Sequence, residues 1–536
     1  MKHLFVELND LPDEILLNIL KKLDNVEVLN SLIGINKRFN RIVHDPIFTS
    51  YLSLMKYSSN NSVHYALPDS ILDQCCLQIL PSIHHKINWL DLELTSIERI
   101  LLATNYSNLN RLGLYNIDID KAISIFTDEF CLIAKFKNQI SSLLINFDGT
   151  VNQTATKDTH TLIFTQILTK FTNLKSLNFD QSSVSFRRLS FSLSPPTIIS
   201  STLLELYVST RNFNDCLYLL DGHFPQLHTL DIGIYHITTT NLTIHDKDKL
   251  PNLRCFSLHC DIDVDDYDKL IIPLLHRMLN LEKLDLLLRV YREKGLIDMN
   301  ELKMNIINYM SQLNKFILNI FSHNTLPIQN SSPLNENNDN IIKYLYNNQI
   351  ISCIDYFPEK QYNQCLIYSY PYTLEFYNNI SNKFPGGLFK YVREVSLYDE
   401  YPFAHEFFIR IQKSFPLMKK LTIINEKAQI NKQCIQSNYD NQYLSIIEYL
   451  HLTTLILNKV HDDYIELFLD HTKMCLSNNL FLYVTYRSLE RVTHHFQREA
   501  TQINCTKLRC LSINGISSIP DHVKNYFPNT KMYSLK

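Results

Sequence analysis

A short apolar pattern recurs along most of the chain and constrains its fold more than any other feature. In each copy, hydrophobic residues stand at a first position and again three and five residues later, as Leu281, Leu284 and Leu286 do in MLNLEKLDLLL. The copies begin at Ile87, Leu109, Ile140, Leu174, Leu203, Leu227, Leu253, Leu281, Leu313, Tyr362, Val392, Met418, Leu452, Phe481, Leu508 and Thr530. Since most lie roughly 20–35 residues apart, the pattern predicts an array of similar units.

Proline precedes several copies of this pattern. Four copies follow an apolar residue and a proline: Phe224-Pro225, Leu250-Pro251, Phe415-Pro416 and Phe527-Pro528. Proline cannot continue a helix, so it turns the chain out of a helix and into a strand. Between copies the apolar residues take helical spacing, as at Leu270, Leu274 and Met278. Strands that alternate with helices at this period are typical of a solenoid.

Three copies resemble the leucine-rich repeat family, whose pattern is LxxLxLxx(N/C). LRCLSINGI, LHTLDIGIY and LNRLGLYNI match its first six positions, but their ninth residues are Ile516, Tyr235 and Ile117. The resemblance implies an α/β fold in which residues 86–536 form an irregular solenoid. Such a solenoid is a horseshoe with a parallel β-sheet on its concave face and helices on its convex face.

The N-terminal residues 8–52 carry a different, helical pattern. Pro12 suits the first turn of a helix, and Asp13 and Glu14 place negative charge there. The apolar residues that follow form one broad stripe: Ile15, Leu16, Ile19, Leu20 and Leu23. So short a module cannot bury all of its apolar surface by itself, so we expect part of that surface to face a partner.

This stretch resembles an F-box. The resemblance rests on Leu11-Pro12, on Glu14-Ile15-Leu16, on Ile19, Leu20 and Leu23, and on the run Asn36-Lys37-Arg38-Phe39, in which Phe39 stands where the family often has Trp. It implies a three-helix module over residues 5–54 that binds the Skp-type adaptor of a cullin-based ubiquitin ligase. The implied adaptor-binding residues are Leu11, Pro12, Ile15, Leu16, Ile19, Leu20 and Phe39. The alternative is that these helices only cap the solenoid.

Three other segments have their own composition. Residues 55–85 are interpreted as a linker and a leading helix. Residues 322–340 are rich in Asn, Ser and Pro, which predicts a flexible insertion and explains the long interval between two copies of the repeat. Residues 353–410 are rich in aromatic side chains, which indicates core, with a binding surface as the alternative.

Sequence motifs for catalysis and metal binding are missing. There is no glycine-rich phosphate loop and no GxSxG nucleophile elbow. The run from Asp261 to Asp266 lacks the Gly and Glu of a calcium loop. If Cys255 and His259 lie on one strand, they are roughly 13 Å apart, too far for one zinc ion. We therefore expect a non-catalytic protein without a cofactor or metal.

Composition excludes further classes of function. The net charge of -3 and pI near 6.7 give no basic field, so nucleic acid is not an expected partner. No stretch reaches the roughly 18 consecutive apolar residues of a membrane span. The 12 cysteines are scattered and no secretion signal is evident, so we expect reduced thiols in a cytoplasmic or nuclear protein.

The solenoid interpretation also predicts a surface for binding a target protein. Residues two, four and six places after each first apolar position should line the concave sheet. The candidates there are Arg111, Tyr115, Asp180, Asp231, Lys283, Asp285, Glu394 and Tyr398. The predicted function is the substrate-recognition subunit of a Skp-cullin-F-box ubiquitin ligase. The alternatives are a repeat scaffold without a ligase role and a hydrolase with an unrecognised site in residues 353–410.

Overall fold

The computed structural model describes most of the chain, as two compact units. The described residues are 8–58, 63–127, 135–148, 159–179, 188–191, 199–238, 250–293, 295–325, 340–345, 348–429 and 446–535. The first unit comprises residues 1–290 and 303–315, and the second comprises residues 291–302 and 316–536. Helix α12 (Met299–Asn305) contributes residues to both.

The first unit combines N-terminal helices with a large parallel sheet. Its helices are α1 (Asp13–Leu20), α2 (Asn25–Leu32), α3 (Lys37–Val43), α4 (Pro46–Thr49), α5 (Asp69–Gln74), α6 (Leu80–Ile83), α7 (Ile97–Ala103), α8 (Ile119–Thr127), α9 (Thr159–Lys170), α10 (Phe213–Leu220) and α11 (Tyr267–His276). Its strands are β1 (Tyr51–Ser58), β2 (Val63–Ala66), β3 (Trp89–Glu93), β4 (Arg111–Ile117), β5 (Ser142–Phe147), β6 (Ser176–Phe179), β7 (Glu205–Asn212), β8 (Thr229–His236), β9 (Cys255–Val264) and β10 (Lys283–Tyr291). From β1 through β3 to β10 the neighbouring strands are parallel, and β2 pairs with β1 in antiparallel fashion.

The predicted strands of this unit are present, each beginning two residues after the first apolar position of a copy. In β10, and in β8 as far as Ile234, buried and half-buried residues alternate, because successive side chains on a strand point to opposite faces. The apolar residues, such as Leu230 and Leu284, are fully buried on the face that carries the helices. We call the other side of this sheet, which carries Trp89, Arg111 and Asp231, the open face.

One hydrogen-bond arrangement repeats at the start of these strands. The carbonyl oxygen of Asn88 accepts hydrogen bonds from the backbone N–H groups of both Asn110 and Arg111, at 2.9 and 3.0 Å. Other carbonyl oxygens likewise accept two backbone hydrogen bonds each: those of Ser50, Asn110, Ser141, Lys175, Leu204, His228 and Arg254. This arrangement fixes each strand against its neighbour in the same register, so equivalent residues form straight rows across the sheet.

The sequence interpretation missed the first strand. The strand β1 spans the end of the predicted N-terminal module and the start of the predicted linker; it follows α4 directly and pairs with β3, Tyr51 opposite Trp89. The predicted boundary of the N-terminal module at residue 54 therefore falls within strand β1 of the sheet. Helices α5 and α6 lie in the remainder of residues 55–85. The N-terminal helices and the sheet belong to one compact unit.

The second unit contains two further groups of strands. The antiparallel group is β11 (Lys315–Asn324), β12 (Asn340–Leu345), β13 (Asn348–Phe357) and β14 (Tyr362–Tyr370). The parallel group is β15 (Phe376–Ile380), β16 (Glu394–Tyr398), β17 (Lys420–Asn425), β19 (Thr454–Val460), β21 (Leu480–Thr485), β22 (Leu508–Asn514) and β23 (Lys531–Leu535), with the short pair β18 (Ile447–Glu448) and β20 (Met474–Cys475) beside it. Its helices are α13 (His405–Ser414), α14 (Asp462–Leu469), α15 (Tyr486–Val492), α16 (Glu499–Cys505) and α17 (Asp521–Tyr526).

Three predictions for this unit need correction. Tyr362 does not begin a repeat, since it opens the antiparallel strand β14. The predicted insertion 322–340 begins too early and ends too late: residues 322–324 belong to β11 and residue 340 to β12, and 326–339 lie outside the described residues. The copy predicted to begin at Phe481 begins two residues too late. Phe481 pairs with Thr454, and Thr454 lies two residues after Leu452, the first position of its own copy.

Candidate functional site

Helix α1 has apolar residues on both its buried and its exposed side. Leu16 and Leu20 are buried in the core of the first unit, with 0% and 5% of their surface exposed. Ile15 and Ile19, one turn apart and therefore on one side of the helix, keep 46% and 42% of their surface exposed. A helix that only covered the end of a sheet would present polar residues on this side.

The start of α1 is held by α3. The Asp13 carboxylate forms ion pairs with Arg38 at 2.7 Å and with Arg41 at 2.6 Å. The hydrogen bond from Arg38 lowers the pKa of the Asp13 carboxyl below its usual range. Arg38 also donates to the carbonyl oxygen of Leu11. These contacts fix the direction in which the exposed side of α1 points.

The seven predicted adaptor-binding residues fall into two groups. Leu16, Leu20 and Phe39 are buried, so within this structure they support the module from inside. Pro12, Ile15 and Ile19 are exposed and Leu11 is half-buried, so these four lie where a partner could reach them. Leu8 and Leu23, with 51% and 49% of their surfaces exposed, add to the apolar surface around α1. We call the set Leu8, Pro12, Ile15, Ile19 and Leu23 the α1 surface.

On the open face, the predicted target-binding residues stand in the rows that the common register creates. Arg111 is exposed, and Tyr115, Asp231, Lys283 and Asp285 are half-buried. Asp231 and Asp285 both pair with Ser257, so a single strand separates them. Asp180 lies outside the described residues.

Hydrogen bonds and ring contacts join several residues of the open face into a cluster around the single tryptophan. Asp91 accepts hydrogen bonds from Tyr51 Oη at 2.9 Å and from Trp89 Nε1 at 2.8 Å, and the two rings lie 4.7 Å apart. The Arg111 guanidinium lies over the Trp89 ring, 5.6 Å from its centroid. Tyr115 lies on the same face of β4, beyond Gly113. We call Tyr51, Trp89, Asp91, Arg111 and Tyr115 the tryptophan cluster.

Glycine makes room for this cluster. A Cβ atom at Gly113 would stand 2.1 Å from Asp91 Oδ1, so no larger residue fits while the carboxylate stays in place. Asp91 is only 3% exposed although it lies on the open face. Burial, together with the Asp91 charge, raises the pKa of Tyr115 to about 12 and that of Tyr51 well above its usual value.

Sequence reasoning found two members of this cluster and missed three. Arg111 and Tyr115 were identified by their position in the repeat. Tyr51 falls within the predicted N-terminal module, and neither Trp89 nor Asp91 is among the predicted target-binding residues. The tyrosine could have been found only by recognising β1, whose sequence YLSLMKYS places Leu52 and Leu54 two residues apart. That alternation was the available signal.

A second group on the open face contains Asp285. Burial raises the pKa of this carboxyl, while His259 and Lys283 act in the opposite direction. Asp231 adds a further negative charge nearby, which raises the pKa further. This group contains charges of both signs, so it does not favour a partner of one particular charge.

In the second unit, the two predicted target-binding residues already contact their own chain. Glu394 forms an ion pair with Lys420 at 2.8 Å. The ring of Tyr398 lies 4.8 Å from that of Phe357, and the Lys360 ammonium lies 4.5 Å from its centroid. These contacts reduce what either residue could offer to a partner.

The region 353–410 is built as core. Tyr368, Tyr372, Tyr377 and Phe389 pack against one another with ring centroids 5.2 to 6.1 Å apart, which confirms the prediction of core. Burial raises the pKa of the Asp355 carboxyl, a change that also occurs in catalytic groups. Its two oxygens accept hydrogen bonds from Ser381 at 2.5 Å and Gln364 at 2.9 Å, so its contacts join strands of this region.

The described part of the chain offers neither a cluster of metal ligands nor a membrane-spanning helix. No group of three or more His, Cys, Asp or Glu side chains there is arranged to hold a metal ion. None of the helices there has both the length and the apolar character required to cross a bilayer.

Comparison with known proteins identifies the N-terminal module. Residues 8–51 match the F-box domain family. No curated protein matches the chain. An F-box domain indicates binding to a Skp-type adaptor and an adaptor role in Skp-cullin-F-box ubiquitin ligase complexes, and F-box proteins are generally non-catalytic.

Proposed function

We propose that this F-box protein is the substrate-recognition subunit of a Skp-cullin-F-box ubiquitin ligase. In this proposal the α1 surface binds the adaptor, which links the chain to a cullin, and the part of the chain that follows binds a target protein. The observation that carries it is the exposure of Ile15 and Ile19 on one side of α1, next to the buried Leu16 and Leu20. Such a stripe is what a helix offers to an apolar groove of a partner.

The contribution of the chain would be proximity. A target held in the same compact unit as the F-box domain has its lysines at a high effective concentration near a ubiquitin-charged enzyme carried elsewhere in the complex. The direct passage from α4 into β1 supports this, because a short rigid connection keeps that concentration high.

We further propose that the strands and helices after residue 86 form an irregular leucine-rich-repeat solenoid, and that the open face binds the target. Two observations support this arrangement: strands β3 to β10 share one register, and at the start of each strand one carbonyl oxygen accepts two backbone hydrogen bonds. The ten described cysteines are all unpaired, which fits the cytoplasmic or nuclear location that we propose.

The alternative is a module that only caps the sheet. The contacts between the F-box helices and β1 favour it, since Asn25 donates hydrogen bonds to the carbonyl oxygens of Ile47 and Tyr51. A module that only caps the sheet has no use for the exposed apolar residues Ile15 and Ile19 on α1, so we prefer adaptor binding.

Co-purification with a Skp-type adaptor tests the proposal. Ile15→Asp should abolish adaptor binding, because a carboxylate would be buried in an apolar groove. Leu162→Asp is a matched control, since Leu162 on α9 is exposed to the same 46% and lies away from the α1 surface. Equal adaptor recovery with both folded variants would refute binding through the α1 surface.

A further inference from the structure

The open face carries one cation whose guanidinium has no partner acid. Within the described residues, the Arg111 guanidinium makes no ion pair and donates no hydrogen bond, and its one specific contact is with the Trp89 ring. The neighbouring acids are already engaged: Asp91 accepts from Tyr51 and Trp89, and Glu93 accepts from Thr95. The Arg111 guanidinium is therefore left without an ion-pair partner at an exposed position.

The surroundings of Arg111 are rigid. Asp91 fixes the Trp89 ring through Nε1 and the Tyr51 ring through Oη, and Gly113 leaves the space that this carboxylate fills. The two rings are held by hydrogen bonds before a ligand arrives, so they lose little side-chain freedom when it binds. Trp, Tyr and Arg are also the residue types that dominate binding energy at protein interfaces.

We propose that the tryptophan cluster is the anchor site for the target, and that it takes a polypeptide segment presenting a carboxylate side chain next to an apolar one. The carboxylate would accept hydrogen bonds from the Arg111 guanidinium, and the apolar side chain would pack on the exposed parts of Tyr51 and Trp89. This inference rests on the proposed function, since it specifies the partner of the same open face.

The site is close to the F-box domain along the chain. Tyr51 follows the end of α4 by two residues, and the cluster lies on the first three parallel strands of the sheet. A segment bound there would be held by strands that connect directly to the F-box helices.

A phage-displayed library of random dodecapeptides, selected on the full chain, tests this assignment. Peptides enriched on the wild-type chain should contain Asp or Glu beside an apolar residue. Individual peptides should bind Arg111→Glu at least about tenfold more weakly, the scale of one charge-assisted hydrogen bond. Selection on Arg111→Glu should enrich Lys or Arg in place of the acid.

Lys121→Glu serves as the control, because it makes the same change of charge on helix α8 of the same unit. Circular dichroism reports whether each variant stays folded, because Arg111 contacts the Trp89 ring and its replacement would by itself change the fluorescence. Enrichment without an acidic preference, no enrichment at all, or equal binding to Arg111→Glu would overturn the anchor site.

Adaptor co-purification, measured on the same proteins, separates the two proposals. Acidic peptides selected by a chain that does not bind the adaptor would refute the ligase role and leave the anchor site standing. Adaptor binding by a chain that selects no acidic peptide would refute the anchor site and leave the ligase role standing.

Discussion

Asn25 Nδ2 donates a hydrogen bond to the carbonyl oxygen of Tyr51 at 2.9 Å, and a second to that of Ile47 at 3.2 Å. Asn25 begins α2, and Tyr51 is the first residue of the parallel sheet. One side chain therefore joins the F-box helices to the strand that follows them. Lys86 makes a second such link, because its ammonium donates to the carbonyl oxygen of His44 at 2.9 Å.

Removing the amide of Asn25 should loosen this junction. Asn25→Ala loses two hydrogen bonds to backbone carbonyls, and we expect the free energy of unfolding to fall by about 1–3 kcal/mol in urea titration. Asn18→Ala is the control, since Asn18 is an exposed residue of α1. A change no larger than the control would show that this junction does not depend on Asn25.

The two sides of α1 should respond differently to truncation. Leu16 is fully buried, so Leu16→Ala should lower the free energy of unfolding by roughly 2–5 kcal/mol through lost burial and a residual cavity. Ile19 is 42% exposed, so Ile19→Ala should change it by only about 0.5 kcal/mol. Thermal or urea unfolding of the two variants measures the difference.

The same pair distinguishes stability from binding. Ile19→Ala should weaken adaptor binding in a chain that is still stable, whereas Leu16→Ala should reduce adaptor recovery mainly by unfolding the module. If Ile19→Ala bound the adaptor normally, that side of α1 would not be the contact surface.

Much of the first unit could be predicted from local patterns. The apolar residues at Leu109, Leu112 and Leu114 mark a strand and its buried side because side chains on a strand alternate between its faces. The F-box signature is similarly local, from Leu11-Pro12 onward. Neither pattern states which apolar residues stay exposed, since Ile15 and Leu16 are equally hydrophobic and only packing against the other helices separates them.

The parts that sequence reasoning missed depend on contacts between distant residues. Tyr51 enters the tryptophan cluster because β1 pairs with β3, and this pairing joins residues 38 positions apart (89 − 51). The antiparallel strand β14 fits the apolar template at Tyr362 by chance, because a strand of either direction alternates its side chains between two faces. Strand direction is set by the partner strand and not by the local sequence.

A methyl group at Gly113 should disturb the tryptophan cluster. In Gly113→Ala the new Cβ would lie 2.1 Å from Asp91 Oδ1, so the carboxylate must move and its hydrogen bonds with Tyr51 and Trp89 must weaken. We expect a loss of about 1–3 kcal/mol in the free energy of unfolding. The fluorescence of Trp89 should change as well, because this is the single tryptophan of the chain.

Gly233→Ala is the matched control, because Gly233 also lies on the open face, in strand β8. Its Cβ would lie 3.2 Å from Ser209 Oγ, a contact that a small side-chain shift can relieve. It should cost less stability and leave the Trp89 spectrum unchanged. Equal spectra for Gly113→Ala and the wild-type chain would contradict the packing described for Asp91.

Tyr115 should make the stability of the chain sensitive to alkaline pH. Burial, assisted by the Asp91 charge, raises the pKa of this phenol to about 12, from the usual value of 10.0. The folded state therefore keeps a proton that the unfolded state releases above pH 10.0. The stabilising contribution is complete below that pH and is lost progressively as the pH rises towards about 12.

Phe lacks the titrating hydroxyl, so Tyr115→Phe should unfold at a higher pH than the wild-type chain when base-induced unfolding is followed by circular dichroism. Tyr533→Phe provides the comparison, since Tyr533 is an exposed tyrosine of the second unit. Its replacement should leave the midpoint where it is, because Tyr533 lies outside the tryptophan cluster and its ring is exposed. A midpoint for Tyr115→Phe that matched the wild-type chain would mean that Asp91 and burial do not hold the proton on Tyr115, and that the cluster is more open to water than its hydrogen bonds imply.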